Sequence, residues 1–164
     1  MTIRQFMAGA MVCGVLIAGQ ASAQTPDPQM MAPIQKFIEA FNKGDIPGAA
    51  ATHAASADLV ILDEPPPFLW RGAQAFQAWA GDLDADAKAR GITDQRVTIG
   101  KATRVETNGT AAYVIVPATY AFKEKGVAMR ETAQMTFVLK KDSSDWLIHA
   151  WTWTGPRATH AAGK

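Results

Sequence analysis

The chain has 164 residues, with 16 Lys and Arg against 15 Asp and Glu and a formal net charge of +1. It contains no basic run that could neutralise a phosphate backbone, which excludes an electrostatic nucleic-acid binder. Its single cysteine, Cys13, allows neither an internal disulfide nor a multi-thiolate metal site.

Residues 1–23 read as a secretory signal peptide. Arg4 is the only charge at the start, Phe6 to Gly19 is uncharged and mostly apolar, and Ala21-Ser22-Ala23 supplies the small residues required at a signal-peptidase site. The apolar run is about 14 residues long, shorter than the roughly 20 of a membrane-spanning helix. Cleavage would remove Cys13 and Arg4 together. The mature chain is then expected in the periplasm or outside the cell, charge-balanced, without a thiol and without membrane attachment.

Residues 24–32 are expected to form a flexible lead-in. From Pro33, Ile34, Phe37, Ile38 and Phe41 recur with helical spacing, and Gly44 stands where a terminating glycine belongs. Asp45 can cap a short second helix, with His53 one turn beyond its core. Asp58 to Asp63 reads as a buried strand closed by Pro65-Pro66-Pro67. A longer helix follows Trp70-Arg71-Gly72, with Phe76, Trp79, Leu83 and Ala87 as its apolar stripe and Gly91 at its end.

Four strands are expected after it: Arg96–Glu106, Ala111–Glu124, Val127–Lys141 and Trp146–Thr154. Asn108-Gly109, Lys125-Gly126 and the polar run 142–145 form the turns. Residues 33–155 form one domain and 156–164 a flexible tail. Helices grouped before strands predict an α+β fold, with a curved antiparallel sheet wrapped around N-terminal helices. Along 133–139 the odd positions Ala133, Met135, Phe137 and Leu139 are apolar and the even ones mostly polar. The neighbouring strands are apolar on both parities. With no helix left to cover a second apolar face, the pattern predicts a homodimer.

The element order and three short segments resemble the SnoaL-like branch of the nuclear transport factor 2-like superfamily. The segments are Phe37-Ile38-Glu39-Ala40-Phe41-Asn42-Lys43-Gly44-Asp45, Trp70-Arg71-Gly72 and Trp146-Leu147-Ile148-His149. The resemblance implies a cone-shaped α+β barrel with an apolar pocket at its open end. It does not choose among isomerase, cyclase, dehydratase and non-catalytic roles.

Asp63 coincides with the general base of the ketosteroid isomerase pattern; the rival reading is a strand-end aspartate capping the proline turn. The two oxyanion-hole positions of that pattern correspond to Phe37 and Met135, neither a strong donor, so ketosteroid isomerase activity is not expected. Glu131 shares its parity with Met135 and Phe137 and could orient a ligand, although a solvated strand-edge position is the favoured reading. His149 shares its parity with Trp151 and Trp153 and belongs either to the pocket or to the dimer face. His53 could pair with Asp63 as acid and base.

Trp70, Tyr120, Met135 and Trp151 are the expected lining beside Glu131, for a small apolar ligand. Asp82, Asp84 and Asp86 mimic a calcium loop, but Ala87 and Thr93 stand where Gly and Glu are needed. No phosphate loop and no zinc-protease motif occurs, and no metal or cofactor is expected. Two readings therefore remain. One is an exported pocket protein, with or without cofactor-free acid–base chemistry of the isomerase, cyclase or lyase type. The other is a dimeric interaction module that uses its sheet face.

Overall fold

The computed structural model describes residues 27–161. The signal segment, Cys13 and residues 24–26 and 162–164 lie outside the described residues.

Helix α1 runs over Pro28–Lys43, about one turn earlier than the hydrophobic spacing marks. The Asp27 carboxylate accepts from the Gln29 N–H at 2.9 Å, and Pro28 occupies the first turn, where its missing N–H is harmless. Pro33 lies inside the helix and forfeits one backbone bond there. The expected lead-in over 24–32 is therefore helical from Pro28 onward. Gly44 ends α1 in the left-handed conformation at φ 68°, and Asp45 caps the short helix α2, Ile46–Ala50, through the Gly48 N–H.

Two short strands follow, β1 (Val60–Leu62) and β2 (Leu69–Arg71), joined by the proline turn, and then helix α3, Ala75–Arg90. The expected strand over 96–106 is two strands, β3 (Ile92–Ile99) and β4 (Arg104–Thr107), both paired with β5 (Ala111–Glu124). Pro117 explains the break. Its carbonyl accepts from Gly100 N–H at 2.8 Å, so its nitrogen faces the same neighbour and has no hydrogen to donate.

Strands β6 (Val127–Asp142) and β7 (Asp145–Thr154) complete the long antiparallel part. The expected tail contributes β8, Thr159–His160, which pairs with Met129 and Arg130 of β6.

The order β2-β1-β7-β6-β5-β3 makes one curved sheet that remains unclosed, with β4 beside β5 and β8 beside β6. The α+β class stands, with two corrections: the sheet is not a closed barrel, and it is mixed, because β1 runs parallel to β7. α1 and α3 fill the concave side. Ile34, Phe37, Phe76 and Trp79 meet Val114, Val116, Phe137 and Ile148 there, all at 3% exposure or less. Each such side chain contributes about 1.5–3 kcal/mol by leaving water.

A bulge in β7 corrects the reading of its faces. Register shifts between Val138↔Ala150 and Leu139↔Ile148, leaving His149 as the extra residue. Trp146 and Ile148 face inward before the bulge, and Trp151 after it. Apolar residues on both parities of this strand therefore reflect one face that changes parity, not two apolar faces.

The end of β7 has no room to spare. A Cβ on Gly155 would lie 2.6 Å from Ala133 Cβ and 3.1 Å from the Thr132 carbonyl oxygen. Gly81, in α3, has no atom in the way. Gly155→Ala is expected to destabilise by about 1–3 kcal/mol through overpacking. Gly81→Ala is expected to stabilise by about 1 kcal/mol through helix propensity. Denaturant titration of both variants checks this pair, and equal shifts would contradict the packing at Gly155.

Candidate functional site

One cavity opens among α1, the proline turn, α3 and the inner faces of β5, β6 and β7. Its cavity volume is about 80 Å³. The inner wall is apolar, with Phe37, Met135 and Trp151 at 2–3% exposure. Exposed Glu64 marks the mouth.

Asp63 lies in the wall just beyond β1. The Trp79 indole N–H donates to its Oδ2 at 2.8 Å, and the Glu64 backbone N–H donates to its Oδ1 at 2.8 Å. Burial pushes its carboxyl above the usual range, partly offset by these two donors, and the nearby Glu131 charge pushes it further up. Asp63 is thus an oriented carboxyl facing a cavity.

Glu131 is only 3% exposed and lines the same cavity, which corrects the strand-edge reading. The Trp153 indole N–H donates to its Oε1. Glu64 meets it carboxyl to carboxyl, with burial and the Glu131 charge raising Glu64 to about 7. Two like charges this near each other disfavour double ionisation, and with burial the larger cause each carboxyl holds its proton more tightly than usual.

Tyr120, Met135 and Trp151 also line the cavity. The Tyr120 hydroxyl donates to Gln95 Oε1 at 2.6 Å, and burial raises its pKa further. Phe37 and Met135 both face the cavity, so the two oxyanion positions of the isomerase pattern offer no donor here.

Three expected positions fall elsewhere. Trp70 is buried outside the cavity, on the α3 side of β2, with its N–H donating to Asp82 Oδ2 at 2.8 Å. His149 does not line the cavity, because the bulge separates its face from that of Trp151. Its Nδ1 has no hydrogen-bond partner among the described residues.

His53 does not pair with Asp63. Its ring packs against Phe37 and Phe76, and its Nε2 lies 3.1 Å from the Trp151 indole nitrogen. An indole only donates, so Nε2 accepts and the proton sits on Nδ1, 3.0 Å from the Ala49 carbonyl oxygen. Burial lowers the His53 pKa to about 4. This histidine is a neutral structural bridge.

Glu64, Trp79, Trp153 and Arg90 belong to the site without having been singled out in the sequence. Arg90, on α3, lines the mouth but is engaged by Glu124 at 3.2 Å and Asp86 at 3.3 Å. Adjacency to Asp63 was the one signal that could have flagged Glu64. Trp79 reads as core and is core, Trp153 is half-buried beside it, and the N–H groups of both turn to the carboxyls.

The pattern of the SnoaL-like domain matches residues 31–152, and the chain belongs to that family. No curated protein matches it. Solved structures agree on the fold. A ketosteroid isomerase-like protein from Erwinia carotovora atroseptica is 20% identical with a TM-score of 0.61, over 79% of this chain and 95% of that one. A type 2 hexachlorocyclohexane dehydrochlorinase is 13% identical with a TM-score of 0.65, over 81% and 89%. A nuclear transport factor 2-like superfamily protein from Salmonella enterica serovar Typhimurium is 14% identical with a TM-score of 0.63, over 77% and 88%.

The His53 bridge has a pH signature. Its folded pKa of about 4 lies below the 6.5 of a free histidine side chain, so the unfolded chain binds more protons between those values. Stability from this group is therefore present above pH 6.5 and lost as pH falls toward 4. The stability difference between the wild type and His53→Gln is expected to narrow by about 3 kcal/mol from pH 7 to pH 4. Denaturant titrations at the two pH values measure it, and a constant difference would contradict the neutral bridge.

Proposed function

We propose that this chain is an exported small-molecule pocket protein in which Asp63 accepts a proton from a bound ligand. The observation that carries the reading is the placement of Asp63. Its carboxyl faces an apolar cavity, its orientation is held by the Trp79 N–H, and burial moves its pKa toward working pH. The chemistry that fits is cofactor-free: a C–H bond next to a carbonyl gives its proton to Asp63. The electron pair shifts toward the carbonyl, and Asp63 returns the proton at another carbon or a leaving group departs. Solved neighbours named as a dehydrochlorinase and as ketosteroid isomerase-like make catalysis a reading worth testing.

Export rests on the amino-terminal segment, and a homodimer would use the convex sheet face. Exposed Tyr113 stands there opposite half-buried Val138 in the β5–β6 register. A non-catalytic module docking through that face is the second reading.

The test is hydrogen exchange at acidic C–H positions of small ketones in D₂O, followed by NMR. Asp63→Asn keeps an acceptor for Trp79 but cannot take a proton. It is expected to lower any exchange rate by about 10²–10⁴-fold, with the fold retained by circular dichroism. Wild-type exchange should rise with pH as Asp63 loses its proton. An unchanged rate in the variant removes Asp63 from the mechanism.

A further inference from the structure

The cavity's charge and its rings are the strongest unassigned feature of the molecule. Four carboxyl groups reach its wall: Asp63 and Glu64 from the proline turn, Asp86 from α3 and Glu131 from β6. α1 contributes only apolar side chains, β5 contributes the Tyr120 phenol, and β7 contributes two indoles. Arg90 is the one cationic lining residue among those described, and Glu124 and Asp86 already hold it. Six aromatic side chains, from Phe37 to Trp153, complete the wall.

From this arrangement we infer that the ligand is an organic cation, an amine or quaternary ammonium with a small apolar body. The inference rests on the pocket reading above and specifies its ligand. Aromatic faces attract a cation through their negative quadrupole, most strongly where water is excluded. Asp63, Glu64 and Glu131, none of which Arg90 hydrogen-bonds, gain a countercharge beside them. No group of three or more Asp, Glu, His or Cys side chains among the described residues is placed to hold a metal ion, which favours a bulky organic cation over a metal. The apolar inner wall at Phe37 and Met135 suits the body of such a molecule, and the acidic mouth suits its head.

Charge linkage follows. Glu64 titrates near 7 facing Glu131, Asp63, Asp86, Arg90 and Tyr120. Seating a cation favours its ionised form, so binding should release a proton and strengthen as pH rises from 6 to 8.5.

The experiment compares benzyltrimethylammonium, its neutral carbon isostere neopentylbenzene, and the anion phenylacetate, by tryptophan fluorescence and by calorimetry in two buffers. The cation is expected to bind at least tenfold tighter than the isostere at pH 8.5, with proton release and a smaller margin at pH 6. Glu64→Gln, a mouth substitution that should not disturb the core, is expected to weaken the cation several-fold and leave the isostere unchanged. Equal binding of cation and isostere at both pH values, or tighter binding of phenylacetate, overturns the cation assignment and leaves the pocket reading standing. Binding of none of the three overturns both.

Discussion

Three indole N–H groups around the cavity find acceptors there, while that of buried Trp146 has none among the described residues, and much of the site follows from those three pairings. Trp79 donates to Asp63, Trp153 to Glu131, and Trp151 to His53. A buried N–H left without a partner costs about 1–3 kcal/mol, and a buried carboxyl without donors costs more. Each pairing therefore fixes two side chains at once. The rings supply the apolar wall, and their single polar atoms decide where carboxyl oxygens point. Because an indole cannot accept, the same rule fixes the His53 tautomer and makes that histidine a poor proton carrier.

The bulge at His149 is what permits two of these pairings. In a regular strand, Ile148 and Trp151 would face opposite sides. One extra residue turns both inward, so β7 closes the hydrophobic core with Trp146 and Ile148 and then walls the cavity with Trp151 and Trp153. The accommodation is local, and His149 is carried to the other side with an unpartnered ring nitrogen.

This explains why the fold was more legible than the site. Helical spacing, the glycines at 44 and 91, and the turn pairs at 108–109 and 125–126 act over a few residues, so they can be read directly. The family resemblance supplied the cone. Parity failed at His149, because a bulge is set by pairing with β6 and leaves no local mark. The division of β3 from β4 depends on Pro117, about 17 residues away from Gly100 in the chain but opposite it in the sheet. Asp63 could be selected from its strand-end position. Its donor Trp79, by contrast, follows from how α3 lies across β1 and the proline turn, and no spacing encodes that.

Stability alone gives little reason for the carboxyls to be where they are. Like charges brought together out of water oppose folding, and Asp63, Glu64 and Glu131 all respond by holding their protons more tightly. A structural cluster would be expected to recruit a cation. Arg90 stands at hand and is instead tied to Glu124 and Asp86. Two indoles orient two of the acids without neutralising them. An apolar wall with neutral side chains at these positions would pack as well at lower electrostatic cost. Local conflict with stability, confined to a cavity and sustained by oriented donors, is the physical ground on which the proposed function of this cavity rests.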